Sequence, residues 1–239
     1  MIKRRNHIIL ILFVIIGVPT IKAQVSSEIQ PDISFSKKYS IEVGIGPNLN
    51  ETLTVGNDIK KSERTYATTF YKITICRKIS PQTFFRLGYY SLYYEYSYKT
   101  PFGEIDFNVN SGNTSTRIPV TLKYDFFKIR YGKLNLIFFG EGGPILEFVK
   151  GRNRMVTIRP NEFVNENFDN GIYGLMSAGG GISFQMGNSF GINLAGQKTW
   201  GFQSFMQKDF INSTNYLRGS ALIDGTGYNF SIGLEYKFD

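Results

Sequence analysis

The chain has 239 residues, of which 42% are apolar and 15% aromatic, with 25 glycines, one cysteine, one histidine and a formal charge of +8. The lone cysteine, Cys76, excludes an internal disulfide scaffold and reads as a small filler side chain. Beyond the amino-terminal segment the apolar runs are short, which excludes membrane-spanning helices but not spanning strands, since these need only about nine to eleven residues of alternating character.

That amino-terminal segment has Lys3, Arg4 and Arg5, an apolar run from Ile8 to Val18, Pro19, and then Ile21-Lys22-Ala23. The order of charge, apolar core and small residue predicts a secretory signal peptide over residues 1–23, cleaved between Ala23 and Gln24. An uncut signal anchor is the alternative. No cysteine directly follows the run, so a lipoprotein anchor is not expected. Cleavage would remove four of the 27 cations and leave a formal charge of +4 against 19 acids. The remaining cations form no stripe interleaved with aromatics, so no nucleic-acid partner is expected. Residues 24–38, polar and containing Pro31, read as a periplasmic lead-in to a barrel over residues 39–239.

Tyr39 to Pro47 alternates Tyr39, Ile41, Val43 and Ile45 against Ser40, Glu42, Gly44 and Gly46, and is the first predicted strand. Leu49 to Tyr66 is polar, with turn chemistry at Gly56-Asn57-Asp58. Ala67 to Lys78 is the second strand, Ser80-Pro81-Gln82 a tight turn, and Thr83 to Tyr96 the third strand. Tyrosines fall on both of its faces. Arg86 and Gly88 point to one face as inward, leaving Phe85, Leu87 and Tyr89 outward. Ser97 to Thr114 reads as a long loop. The fourth strand, Ser115 to Phe126, sets Ile118, Val120, Leu122 and Tyr124 against Arg117, Thr121, Lys123 and Asp125. Phe127 to Lys133 is a short connection, Leu134 to Phe148 the fifth strand, and Val149 to Asn170 a long segment. Gly171 to Met186 is the sixth strand, Gly187-Asn188-Ser189 a turn, and Phe190 to Trp200 the seventh. The longest loop, Gly201 to Thr226, precedes Tyr228 to Phe238, where Tyr228, Phe230, Ile232, Leu234, Tyr236 and Phe238 form one apolar face.

Eight strands joined by connections that alternate long and short predict an all-β fold: an eight-stranded antiparallel up-and-down transmembrane β-barrel with a polar interior and a lipid-facing apolar exterior. A soluble barrel of the same strand count would turn the apolar face inward around a small ligand. The membrane arrangement is favoured because charges sit in mid-strand on the polar face, among Gly, Ser and Thr. Aromatic residues gather near strand ends (Tyr39, Tyr124, Phe126, Phe190, Trp200, Tyr236 and Phe238), where membrane girdles belong. Glu42, Lys72, Arg86, Arg117, Lys123, Glu141 and Glu235 are expected to pair with one another in the interior.

Specific motifs carry a resemblance. The final strand, ending Tyr236-Lys237-Phe238, resembles the carboxyl-terminal signal by which assembly machinery recognises outer-membrane barrels. Arg117-Ile118-Pro119-Val120-Thr121-Leu122-Lys123-Tyr124 is similar to a strand signature of the PorT-like outer-membrane β-barrel domain family. Phe139 to Pro144, with one extra glycine, Gly179-Gly180-Gly181-Ile182 and Gly233 to Phe238 resemble that family's later strands. The resemblance implies an outer-membrane location and the barrel-assembly machinery as a partner during biogenesis. It says little about function, although one member type serves protein secretion.

The single histidine is His7, in the predicted leader, so a Ser-His or Cys-His nucleophile and a histidine metal site are not expected. Glu42, Glu141 and Glu235 could support carboxylate-only catalysis, but charge neutralisation explains them more simply. The runs Gly140–Gly143 and Gly179–Gly181 open no helix and are not phosphate loops. Asp209 and Asp224 are too isolated for a calcium site. Phe163, Phe168, Phe202, Phe205 and Phe210 either contact a partner or lipopolysaccharide, or pack the loops on the barrel rim. The expected protein takes no cofactor. It is a non-enzymatic structural or interaction component of the outer membrane, in contact with its lipid and lipopolysaccharide and with an envelope protein; the alternative is a narrow pore.

Overall fold

The computed structural model describes residues 37–51, 53–55, 67–99, 106–159, 162–212 and 217–239. The predicted leader, most of the lead-in and the Gly56-Asn57-Asp58 turn lie outside them. Thirteen strands are described: β1 Tyr39–Asn50, β2 Leu53–Val55, β3 Ala67–Lys78, β4 Thr83–Lys99, β5 Asp106–Tyr131, β6 Leu134–Val149, β7 Arg152–Arg159, β8 Glu162–Phe168, β9 Gly171–Met186, β10 Phe190–Gly201, β11 Met206–Asn212, β12 Leu217–Ile223 and β13 Gly227–Phe238. Eight of them, in the order β1-β13-β10-β9-β6-β5-β4-β3, close an antiparallel barrel. The closing seam pairs Tyr39 with Phe238, Val43 with Leu234 and Asn50 with Gly227, so the aromatic edge of β13 is covered by β1.

Alternation sets the faces. Along β13 the buried Asn229, Gly233 and Glu235 face inward, while Tyr228, Phe230, Ile232, Leu234 and Tyr236 face outward, Leu234 being 67% exposed. In β4 the ambiguity of the tyrosines is resolved by register: Arg86, Tyr90 and Tyr94 are buried inside, and Phe85, Leu87, Tyr89 and Tyr93 line the outer wall. The strands β3 and β9 and the turns at 79–82 and 187–189 fall where periodicity predicts them.

All four long connections predicted as loops contain strand, β2 lying within Leu49–Tyr66. The stretch Ser97–Thr114 is largely ladder, since Tyr96, Ser97, Tyr98 and Lys99 pair with Val109, Asn108, Phe107 and Asp106. The segments 149–170 and 201–226 each fold into a hairpin, β7-β8 and β11-β12. Together with β2 they form a second sheet in the order β2-β12-β11-β8-β7 at the long-loop end. These strands are polar, so the alternation that marks a lipid-facing wall is absent while the backbone ladder still forms. Phe127–Lys133 also shortens to a turn at Gly132-Lys133, because β5 continues to Tyr131. A register shift between Asp125 and Phe127 lets Phe126 and Phe127 both face outward, which breaks the period of two.

Candidate functional site

The lumen holds the charged residues that sequence singles out, and two halves of the wall build it differently. Strands β3 to β6 send in large side chains: Phe70 and Lys72, Arg86, Tyr90, Leu92 and Tyr94, Arg117 and Lys123, and Ile137, Phe139, Glu141 and Glu147. On β9, β10, β13 and β1 the inward register carries mostly small residues, including Ser177, Gly179, Gly181, Ser183, Ala195, Ser231, Gly233, Gly44 and Gly46. Large side chains therefore reach across into the space these small residues leave between Glu42, Asn193, Gln197 and Glu235. A Cβ on Gly181 would collide with the Leu194 carbonyl and with the Phe139 ring, and one on Gly233 with the Glu42 carboxylate.

Toward the short-turn end lies a polar network. Arg86 is its hub: one guanidinium nitrogen donates to Glu141 and the other to Glu42 at 2.5 Å. Lys72 Nζ lies 2.5 Å from the second Glu42 oxygen, and Asn193 Nδ2 donates to Glu42 at 2.9 Å. Gln197 donates to Glu141, and Ser40 Oγ donates to Glu235 at 2.6 Å. Lys123 completes it, with Nζ 3.3 Å from Asp125 and 4.3 Å from the centre of the Phe139 ring. Six of the seven predicted lumen charges thus meet in one region, and Arg117 does not.

Arg117 belongs to a second cluster at the long-loop end. Its Nε lies 3.2 Å from Glu147, and its Nη2 donates to Tyr94 at 3.0 Å and to the Gly225 carbonyl at 3.2 Å. Glu147 also accepts from the Tyr94 hydroxyl and from Ser115 Oγ, the latter at 2.7 Å. Sequence reasoning missed Glu147 and Tyr94. Glu147 stands six residues from Glu141, an even spacing that places both on the same face of β6. Nothing local points to Gly225, which arrives from 108 residues away.

Above this cluster the second sheet covers the mouth. Val164, Phe168, Met206 and Ile223 of that sheet pack with Phe205 against Tyr94, Val149 and Tyr173 of the barrel. Phe205 is fully buried, with ring centres 5.5 Å from Tyr94 and 5.4 Å from Tyr173. Thr199 Oγ1 donates to the Gly225 carbonyl at 2.9 Å, fixing the 224–226 turn in the mouth. Of the five loop phenylalanines, Phe168 and Phe205 pack the cap, Phe163 is half-buried, and Phe202 is 67% exposed. The side chain of Phe210 lies outside the described residues.

Among the described residues this arrangement holds the lumen charges in ion pairs and hydrogen bonds. Glu42 and Glu141 share Arg86 and are buried, so neither is free to shuttle a proton to a substrate. Among the described residues no group of three His, Cys, Asp or Glu side chains could hold a metal. The outer wall is apolar. It bears a shallow groove of about 570 Å³ between Ile45, Pro47, Ile182, Leu194, Phe230 and Ile232, over Gly180 and Gly196.

No protein-family model matches the chain, and no curated protein does. Solved structures do. The outer membrane protein OprG from Pseudomonas aeruginosa is similar with a TM-score of 0.57 at 10% identity, over 84% of this chain and 96% of that one. Neisserial surface protein A scores 0.46 at 10% identity, over 84% and 97% of the two chains, and a major outer membrane protein from Thermus thermophilus scores 0.43 at 10%, over 85% and 100%. The fold of this chain is that of the small outer-membrane β-barrels.

Proposed function

We propose that the chain is an integral outer-membrane barrel without enzymatic activity that serves as a structural or interaction component of the cell envelope through its long-loop end. The observation that carries this reading is the lumen: it is crossed by the Arg86 network and covered by Phe205 and the second sheet, so the surface available for function is the outer face of the loops. An apolar wall with aromatic residues near the strand ends suits a bilayer and its lipids, including lipopolysaccharide. In this reading residues 1–23 are a cleaved leader and the short turns face the periplasm. Tyr236 and Phe238 are read by the barrel-assembly machinery, and the long loops meet an envelope protein. A PorT-like relationship rests on the strand motifs around 117–124, 139–144, 179–182 and 233–238.

The test is mild-detergent extraction of a tagged copy at native expression, with identification of what co-purifies and single-channel recording of the pure barrel. A stoichiometric envelope partner with a silent bilayer is the expected result. Steady conductance of the isolated barrel would replace this reading with the narrow pore.

A further inference from the structure

At the short-turn end the strands do not stop together. The last pairing of β4 with β5 is Thr83 with Tyr124, yet β5 and β6 stay paired as far as Tyr131 and Leu134. Their hairpin, Asp125 to Phe138, therefore continues beyond β4. Its two faces differ. Phe127, Ile129 and Tyr131 keep the outward register of the apolar wall, with Phe126 beside them, and all four are exposed, Tyr131 to 84%. Lys128 and Arg130 take the alternate positions and Lys133 follows in the turn, all three exposed.

The hairpin does not neutralise these cations itself. Its one acid, Asp125, lies 3.3 Å from Lys123. Arg130 stands in register opposite Asn135, and among the described residues its guanidinium donates only to the Gly132 carbonyl, at 3.5 Å. Lys133 has no ion pair among the described residues. Asp239 follows β13, on the opposite side of the barrel from β5.

An apolar aromatic face with cations at its end matches the boundary of a bilayer, where rings lie at the headgroup level and long cationic side chains reach for phosphate. A guanidinium can grip a phosphate through two parallel hydrogen bonds. A zwitterionic lipid brings its own cation next to that phosphate, so an anionic headgroup suits Arg130 and Lys133 better. An acidic protein could also pair with them, but Phe127, Ile129 and Tyr131 would need a separate apolar cover. One lipid molecule supplies both.

We propose that the β5–β6 hairpin binds anionic phospholipid in the leaflet at the short-turn end. Phe127, Ile129 and Tyr131 sit against the acyl chains, and Arg130 and Lys133 hold the headgroup phosphate. This rests on the reading of the chain as an outer-membrane barrel with short turns toward the periplasm, and it adds a lipid site distinct from the loop-end surface.

The experiment uses the full chain in phosphatidylcholine vesicles containing either phosphatidylglycerol or phosphatidylcholine brominated near the headgroup, since bromine quenches only tryptophan close to it. The one tryptophan is Trp200, on the wall toward the long-loop end, so Tyr131→Trp with Trp200→Phe moves the reporter to the hairpin. Brominated phosphatidylglycerol should quench the reporter at position 131 with an apparent affinity at least about fivefold above that of brominated phosphatidylcholine. Adding Arg130→Gln with Lys133→Gln should bring the two lipids level, whereas Arg130→Lys with Lys133→Arg should retain the preference and so exclude misfolding as the cause. Equal quenching by the two lipids before that change would leave the cations to an acidic protein and overturn the proposal. A preference unchanged by the Gln pair would overturn it too. Trp200 in the unaltered chain separates the two levels. Quenching at Trp200 with none at position 131 removes the lipid site and leaves the membrane barrel standing, whereas quenching at neither counts against both.

Discussion

The two halves of the barrel wall meet the same requirement, a filled lumen, by opposite means. Strands β3 to β6 contribute most of the long charged and aromatic side chains, while β9, β10, β13 and β1 set glycine, serine or alanine at many of the facing positions, between Glu42, Asn193, Gln197 and Glu235. An interior eight strands wide has room for about one large side chain across, so a bulky residue on one wall requires a small one opposite. Gly181 is then space for Phe139 and Gly233 for Glu42 of the Arg86 network, while Gly142 and Gly143 lie close against the neighbouring Ser177 and Val120 carbonyls, so the likeness of these glycines to ligand loops has a packing explanation.

Substitutions on the two halves should therefore fail for different reasons. The largest effect is expected at the hub. Arg86→Met leaves Glu42 and Glu141 buried without their shared cation, at a cost of about 3–5 kcal/mol, read as a lower urea midpoint for unfolding from lipid vesicles. Next is the outer wall, where Leu234→Arg sets a cation against the bilayer. It should cost about 2–4 kcal/mol and reduce folded barrel in the outer membrane; unchanged abundance would mean that the face is assigned wrongly. On the small-residue half, Gly181→Val forces a side chain against the Leu194 carbonyl and Phe139 and should cost about 1–3 kcal/mol. Combining it with Phe139→Ala should cost less than the sum of the two single changes, and simple additivity in the same unfolding assay would show that the halves are not complementary. The smallest effect belongs to Lys198→Ala, which removes a half-exposed contact with Glu51 at 3.0 Å and should shift the midpoint by no more than roughly 1 kcal/mol.

The lumen and the cap were legible to different degrees. Glu42, Lys72, Arg86, Lys123, Glu141 and Glu235 stand in mid-strand at the parity of Gly and Ser, so membership of the inward face can be read directly from the chain. Their partners cannot, because Arg86 meets Glu42 and Glu141 across 44 and 55 residues, and the stagger that joins them is a property of closure. Arg117 shows the limit: it has the same parity as the others but sits at the level of Glu147, Tyr94 and Gly225. The cap was the least legible region. Phe205 and Phe168 look no different in sequence from Phe202, yet the first two are buried and the third is exposed.

Alternation, the aromatic closing strand and the rhythm of long and short connections determine from sequence alone that the chain closes an eight-stranded barrel with a charged interior, because a period of two over about ten residues has few other physical outcomes. Only the tertiary structure decides that the long connections join into a second sheet across the mouth, that two ion-paired clusters rather than one fill the lumen, and that β7 is left as an edge. Those outcomes depend on which distant segments meet when the barrel closes, and polar strands outside the bilayer carry no alternating signature to announce the meeting.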